Sequence, residues 1–375
     1  MTTPANRPIR VALLFGGRSC EHAVSCATAA GVMRAIDPAR YDVIPIGIAP
    51  DGKWVLLGDD PSALELTRGH IPSVPTQATA IVVPTSTQDK TLRTLDAGSI
   101  PHELGEVDVV FPLLHGPYGE DGTVQGLLEL ADLPYVGSGV LASAVGMDKH
   151  FMKVVFAGAG LPIGAHTVIT DAQWRHDAAT ARDAVASLGM PVFVKPARAG
   201  SSMGITKVSQ MAELDAAIEE ARRHDLKVIV EAGIEGREIE CAVLQGRDGE
   251  LPRVSHVGEI VVRPGHGHDF YDFEAKYLDG DAVELSCPAD VPDEVRDHIQ
   301  DLARRAFLAL GCEGLARVDC FYTRSGDVLV NEINTMPGFT PSSMYPRMWQ
   351  ATGVSYPELI DELIALALAR PLGLR

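Results

Sequence analysis

The stretch Leu315-Ala-Arg-Val-Asp-Cys-Phe-Tyr322, the turn Arg324-Ser-Gly-Asp327 and the run Val328-Leu-Val-Asn-Glu-Ile-Asn334 read together as a β-hairpin. Centring the turn on Ser325-Gly326 pairs Asp319 with Glu332 and Arg317 with Asn334, and the two-residue period of a strand puts all four side chains on one face. Two carboxylates directly opposite each other destabilise a sheet, so a cation is expected between them. Oxygen ligands from Asp319, Glu332 and Asn334 suit magnesium, which takes a few carboxylates together with phosphate oxygens and water. The other reading is a solvated hairpin face carrying an Arg317-Asp319 pair.

Upstream, Phe193-Val-Lys-Pro-Ala-Arg-Ala-Gly-Ser-Ser-Met-Gly204 runs straight into Ile205-Thr-Lys-Val208. A Gly-rich loop after a strand suits a phosphate cradle, but the next element is again a strand, and no G-x-x-x-x-G-K-[ST] match occurs. The reading is a β-loop-β flap over nucleotide phosphates, with Lys195 as a cation from the strand; a plain hairpin is the alternative. Gly137-Ser-Gly139 is a weak dinucleotide signal that helix packing explains as well. His115 to Gly126 joins a strand end, a Gly-rich turn and a helix start, the place where open α/β sheets bind ligands. Taken alone, His115 reads as a packed histidine, and Glu21 as a favourable charge at a helix start. The Gly-rich stretch from Arg263 to Tyr277 has the composition of a mobile lid. His266 and His268 within it lack a third metal ligand.

Further toward the amino terminus, Ile9 to Phe15 followed by Gly16-Gly17 reads as a buried strand, with a helix at about 21–36 and strands at 43–48 and 107–113. That pattern favours a parallel, Rossmann-like α/β sheet with crossovers. Residues 71–101, rich in Pro, Thr and Ser, read as an insertion or hairpin over it. A long helical pattern runs to Gly158, and the segments after it alternate as an α+β unit. Three domains are expected, at 1–143, 144–235 and 236–375, with a helix at about 292–310 and a last one near 357–369.

The 375 residues carry 32 basic and 50 acidic side chains, a net charge of −18 that repels a phosphate backbone and an anionic bilayer. Nucleic acid and membrane are therefore not expected as partners. With 46% hydrophobic and 22% charged residues the chain is globular. No apolar run approaches the roughly 18 residues of a membrane span and no signal core precedes Arg10, so a cytoplasmic location is expected. The six cysteines form no C-x-x-C pair and read as small buried hydrophobes.

Several blocks stand in a fixed order along the chain: Leu14-Phe-Gly-Gly-Arg-Ser-Cys-Glu21-His-Ala-Val-Ser25, His115-Gly116 with Glu120-Asp-Gly-Thr-Val-Gln-Gly126, and Gly137-Ser-Gly-Val140 with Met147-Asp-Lys149. They continue with Val194-Lys-Pro196, Gly200-Ser-Ser-Met-Gly204, Glu274-Ala-Lys-Tyr277, Arg317-Val-Asp319 and Asn331-Glu-Ile-Asn-Thr-Met-Pro-Gly338. Through these blocks the chain resembles the D-alanine-D-alanine ligases of the ATP-grasp superfamily along nearly its whole length. The resemblance implies a three-domain ATP-grasp fold of α/β and α+β parts with a Rossmann-like N-terminal domain. It also implies a cytoplasmic homodimer that supplies D-alanyl-D-alanine for peptidoglycan.

By the same resemblance ATP lies between the second and third domains. Lys149 and Lys195 contact its phosphates, Glu231 and Ile234 lie by the adenine, and Glu238 lies by the ribose. Asp319, Glu332 and Asn334 hold two Mg2+ ions, with Mn2+ as a substitute and K+ as an activator. Glu21 binds the first D-alanine and connects through Ser201 to Tyr277, and His115 orients that substrate. Lys276, Ser343 and Met344 address the second D-alanine, while Arg317 and the Gly338 N-H stabilise the oxyanion. Two positions depart from the pattern: Ala23 stands where an acid is common, and Ala232 where a lysine often contacts the base. Gly233 and Ile234 are then left to bind the base. The closest rival is a ligase whose second substrate is D-lactate or D-serine, against which the intact Glu274-Ala-Lys-Tyr277 block argues. A nucleotide-binding regulator without turnover and a ligase of larger carboxylates are more distant rivals.

Overall fold

A computed structural model of the chain describes residues 7–67, 69–84, 86–95, 102–262 and 283–371. The amino-terminal part comprises β1 (Ile9–Gly16), α1 (His22–Ala35), β2 (Tyr41–Ile48), β3 (Trp54–Leu56), β4 (Ala80–Val82), β5 (Thr91–Leu95), β6 (His102–Glu106) and β7 (Val109–Pro112). These strands form one sheet in the order β6-β5-β4-β3-β2-β1-β7. Only β2, β1 and β7 are parallel; β3 to β6 add antiparallel strands at one edge. Residues 71–101 were expected over the sheet, and in part they are, since Val74 packs on Gly16 and Gly47. The strands that follow Val74 instead prolong the sheet edgewise, where pairing satisfies their backbone groups and Ile81, Leu92 and Leu104 extend one core face of the sheet.

The continuous apolar run of β1 follows from burial on both sides. Val11, Leu13 and Phe15 face α1 and the carboxy-terminal helices, while Ala12 and Leu14 face the opposite core. The expected long helix up to Gly158 is two helices, α3 (Val140–Met147) and α4 (Lys149–Gly158), after α2 (Thr123–Leu130). The break lies at Asp148, whose extended backbone ends α3 and whose carboxylate accepts the His150 and Phe151 N-H groups at 3.1 and 3.2 Å to cap α4. The same carboxylate pairs with Lys227 at 2.6 Å.

A second, four-stranded sheet has the order β10-β9-β11-β8 and is built from β8 (His166–Ile169), β9 (Val192–Pro196), β10 (Thr206–Val208) and β11 (Val228–Ala232). It is backed by α6 (Ala178–Ala186) and α7 (Leu214–Arg222); the short helix α5 (Asp171–His176), with its capping box at Thr170, precedes them. The third sheet runs β14-β13-β12-β15-β16, from β12 (Gly236–Leu244), β13 (Arg253–Val262), β14 (Val283–Ser286), β15 (Leu315–Thr323) and β16 (Val328–Asn334). One face packs on α8 (Asp293–Leu310), which ends at Gly311 in the left-handed conformation. The chain closes with α9 (Met344–Ala351) and α10 (Tyr356–Ala369), whose apolar faces join the first and third sheets in one core. No helix among the described residues is long and apolar enough to cross a membrane.

Four of the six cysteines are buried, as expected of small hydrophobes, whereas Cys20 is exposed beside Glu21 and Cys287 is half-buried. Replacing Asp148 by Ala removes both the cap and the ion pair, with an expected loss of at least about 1–2 kcal/mol of unfolding free energy. Asp148→Asn keeps a capping oxygen and is expected to lose less in a urea titration. Equal losses for the two variants would assign the stabilisation to Lys227 rather than to the cap.

Candidate active site between the sheets

The second and third sheets each bury one face against helices and turn the other toward a shared cavity of about 630 Å³. On β9 the alternation puts Val192 and Val194 in the core and Phe193 and Lys195 in the cavity wall; on β15 it puts Ala316, Val318 and Cys320 against α8 and Arg317 and Asp319 in the cavity. Arg317 faces Asn334 and Asp319 faces Glu332, as the hairpin reading requires. The turn is nevertheless one residue tighter than a centre on Ser325-Gly326 implies, since Cys320 pairs with Val330. A bulge at Asn331 adds the missing residue, restores the register at the four site positions and brings Asn331 and Glu332 both to the cavity wall.

The Arg317-Asp319 pair forms, but on a face largely withdrawn from solvent rather than a solvated one. Arg317 forks onto Asp319 with two bonds of 2.7 Å, and Asn334 Nδ2 donates to Asp319 Oδ2 at 3.0 Å. Glu332 lies 3.7 Å from Lys149. Burial by itself lowers the Arg317 pKa, but the Asp319 and Glu240 charges outweigh it and hold the guanidinium firmly protonated. Among the described residues no group of three or more His, Cys, Asp or Glu converges as a ready-made metal cluster. Two carboxylates and an amide at one rim still fit magnesium, which completes its shell with phosphate oxygens and water.

Lys195 and Glu231, read separately from the sequence, are an ion pair of 2.5 Å. Lys153 completes it at 3.0 Å from the other Glu231 oxygen and also donates to the carbonyl of the bulge residue Asn331 at 3.2 Å. Loss of hydration would raise the Glu231 pKa, but Lys195 and Lys153 hold it below the usual carboxylate range. Sequence reasoning missed Lys153, although it lies one helical turn after Lys149 on α4 and so on the same face. Lys149 itself is fastened to the flap, its N-H on Ala197 O and its Nζ on Ala199 O, both 2.9 Å. At the base of the flap Arg198 grips Asp225 through Nε and Nη2 at 2.9 and 2.7 Å.

At the other end of the cavity Glu21 accepts a hydrogen bond from Ser201. Its Oε2 lies where a Cβ on Gly116 or Gly200 would come within 2.7 or 2.5 Å, so those two glycines make its room. His115 is buried, its Nδ1 3.1 Å from Met336 O, and burial outweighs the pull of the Glu21 charge to lower its pKa. Glu120 was not singled out from the sequence although it lies in the Gly-rich block after His115. Its two oxygens accept the Gly116 N-H at 2.7 Å and the Met336 N-H at 3.1 Å, so Glu120 and His115 hold the N-H and the C=O of Met336, on two successive peptide units of the loop after β16. In that loop Ser343 Oγ bonds Thr340 Oγ1 at 2.7 Å beside Gly338, and Met344 packs against Gly258.

Ile234, Glu238, Gly338, Ser343 and Met344 all line the same cavity as Glu21, His115, Ser201, Lys149, Lys195 and the hairpin acids. Lys276 and Tyr277, like His266 and His268, lie outside the described residues. The Gly16-Gly17 turn, where a Rossmann sheet would take a phosphate, is closed. A Cβ at Gly16 would meet Ile48 O at 2.5 Å and Val74 at 2.8 Å, while His22 Nδ1 donates to Gly17 O at 2.6 Å and its Nε2 accepts from Val74 N at 3.0 Å. Gly137-Ser-Gly139 serves packing: Ser138 Oγ receives the Glu313 N-H at 3.2 Å, and a Cβ on Gly314 would come within 3.0 Å of Gly137 N.

Two sheets holding one cavity between them, with a glycine-rich flap on one and opposed carboxylates on the other, define the ATP-grasp class of ATP-dependent ligases. The chain belongs to the D-alanine-D-alanine ligase family: models of the "D-ala D-ala ligase N-terminus" and "D-ala D-ala ligase C-terminus" match residues 10–138 and 155–365. It is 62% identical to a D-alanine-D-alanine ligase of Pseudarthrobacter chlorophenolicus over 99% of this chain and 97% of that one. Among solved structures, the D-alanine-D-alanine ligase from Coxiella burnetii is similar at 34% identity and a TM-score of 0.80, covering 96% of this chain and 94% of that one. The VanG D-Ala:D-Ser ligase from Enterococcus faecalis is similar at 38% identity and a TM-score of 0.83, covering 96% of this chain and all of that one.

Glu120 carries the pH signature of the site. Loss of hydration and the neighbouring Glu21 charge push its pKa up to about 8, whereas in the unfolded chain it returns to about 4.3. A raised carboxyl pKa contributes stability that is complete below the unfolded value and is lost as pH rises through about 8. The expected observation is a protonated-carboxyl infrared band that disappears with a midpoint near 8 and is absent in Glu120→Gln. A band titrating near about 4 would place Glu120 in ordinary water contact.

Proposed function

We propose that the protein joins two D-alanine molecules into D-alanyl-D-alanine with cleavage of ATP to ADP and phosphate, and so supplies a precursor of peptidoglycan. The observation that carries the reading is the convergence on one cavity of lysines for phosphate, opposed carboxylates with an amide, and a Glu21-Ser201 pair. The family models and the relatives named D-alanine-D-alanine ligase support the same substrate.

In the first step a carboxylate oxygen of one D-alanine attacks the γ-phosphorus, the bond to ADP breaks, and an acyl phosphate forms. In the second, the amine of the other D-alanine attacks the acyl carbon, loses a proton, and phosphate departs with its oxygen. Glu21, fixed by Ser201 and spaced by Gly116 and Gly200, receives the ammonium of the first D-alanine, and the neutral His115 orients it. The proposed relay from Ser201 to Tyr277, and the role of Lys276 at the second D-alanine, fall outside the described residues. Ser343 and Met344 form the described wall of that second subsite. Lys149 and Lys195 neutralise charge on the transferring phosphate, Glu231 and Ile234 border the base, and Glu238 borders the ribose. Arg317 and the Gly338 N-H stabilise the oxyanion of the tetrahedral intermediate. Asp319, Glu332 and Asn334 would hold Mg2+, or Mn2+, as two ions that neutralise phosphate oxygens. Activation by K+, a cytoplasmic homodimer and domain limits at 143 and 235 belong to the same reading.

A second reading, D-serine as the second substrate, has one observation in its favour, the similarity to the Enterococcus faecalis D-Ala:D-Ser ligase. Phosphate release from ATP and magnesium with D-alanine alone, and the dipeptide by mass, is the expected result. Release only after D-serine or D-lactate is added would move the protein to the second reading, and silence in every mixture would leave a nucleotide-binding regulator. Gly200→Ala puts a methyl 2.5 Å from Glu21 Oε2 and is expected to raise KM for the first D-alanine. That rise should be about ten- to a hundredfold, as displacement of a positioning group brings. An unchanged KM would remove Glu21 from the first subsite.

A further inference from the structure

The carboxylate row on the cavity face is longer than the hairpin alone suggests. Glu240 on β12 stands directly opposite Asp319 on β15, and Glu332 on β16 stands opposite Asp319 on the other side. Three adjacent strands thus carry acids at facing positions, an arrangement that repels unless a cation lies within it. Arg317 supplies that cation. Its Nε and Nη2 donate to Asp319 at 2.7 Å each, and its Nε also lies 3.2 Å from Glu240 Oε1. Glu240 is only 3% exposed and so lies beneath the cavity rim that Asp319 and Glu332 form. None of the roles assigned above uses it.

Both Asp319 oxygens are engaged by the Arg317 fork, and Oδ2 also accepts from Asn334 Nδ2, so turning them to a divalent cation competes with the hold on Arg317. If Asp319 turned away with no other acid in reach, a buried guanidinium would be stranded, and that cost would subtract from metal binding. A guanidinium presents five N-H donors in a fixed fork, so Glu240 can keep hold of it while the Asp319 side is released. We infer that Glu240 is a positioning residue that retains the Arg317 guanidinium when Asp319 turns to a divalent cation, and thereby sets both cation affinity and the aim of Arg317. The inference rests on the proposed reading of Asp319 as a metal ligand. Glu240 is visible in the sequence only through its spacing of two from Glu238.

The test uses the full chain saturated with ADP and titrated with Mn2+, bound metal being followed by water-proton relaxation. Glu240→Gln keeps the shape of the side chain and removes its charge. It is expected to weaken Mn2+ binding about tenfold, the worth of one charge-assisted hydrogen bond, while metal-free ADP binding stays unchanged. Glu240→Asp, which keeps the charge, is expected to recover most of the affinity. Unchanged Mn2+ binding in Glu240→Gln, or an equal fall in metal-free ADP affinity, would overturn the inference. Asp319→Asn separates the two layers. If it abolishes Mn2+ binding while Glu240→Gln does nothing, only the role of Glu240 falls; if Asp319→Asn binds Mn2+ normally, the reading of Asp319 falls and takes the inference with it.

Discussion

A guanidinium withdrawn from water must keep a carboxylate within hydrogen-bond reach, and Arg317 keeps two, Asp319 on its own strand and Glu240 on the neighbouring β12. The rest of the site is arranged around that requirement. The third sheet can present a row of acids to a cavity because the arginine on the same face holds them apart. The apolar residues between them, Ala316, Val318 and Cys320, carry the burial against α8 that offsets the cost of the charged cavity face. The second sheet solves the same problem with opposite signs, since Glu231 is held between Lys195 and Lys153. Each sheet therefore brings charges into a place poor in water without leaving the central one alone. Lys153 also reaches the Asn331 carbonyl and so joins the two charge clusters through a bulge.

Space is the second constraint. Glu21 reaches its position only because Gly116 and Gly200 have no Cβ, and the two glycines lie on loops that leave different sheets. The first sheet, which by its pattern could have taken a phosphate at Gly16-Gly17, has that turn filled by Val74 and clamped by His22. Its cavity-lining groups His115 and Glu120 instead grip the N-H and C=O of Met336 and so set the loop bearing Gly338 and Ser343. The amino-terminal sheet and the two sheets around the cavity thus meet at one loop.

Much of this was legible in the chain itself, because its signals are local. The alternation in 315–334 determines which side chains share a face, and the glycines at 16, 200 and 204 mark tight turns whatever lies around them. The capped break at Asp148 escaped notice because an apolar pattern is nearly continuous across it, and only the cap geometry ends one helix and starts the next. The hairpin register came out right at the site although the turn is one residue tighter, since the Asn331 bulge compensates; a bulge leaves no mark on a period-two count.

What the sequence by itself determined is the kind of residue available and the face it takes: acids and amide on one hairpin face, lysines on strand and helix, a glycine-rich flap between strands. Only the tertiary structure decided which of these meet. Glu240 with Arg317, Lys153 with Glu231, and Glu120 with Met336 join residues 77, 78 and 216 positions apart. The reason is physical: the cost of burying a charge is set by whatever stands opposite it, and across a cavity between sheets the opposite residue is fixed by packing rather than by neighbours in the chain.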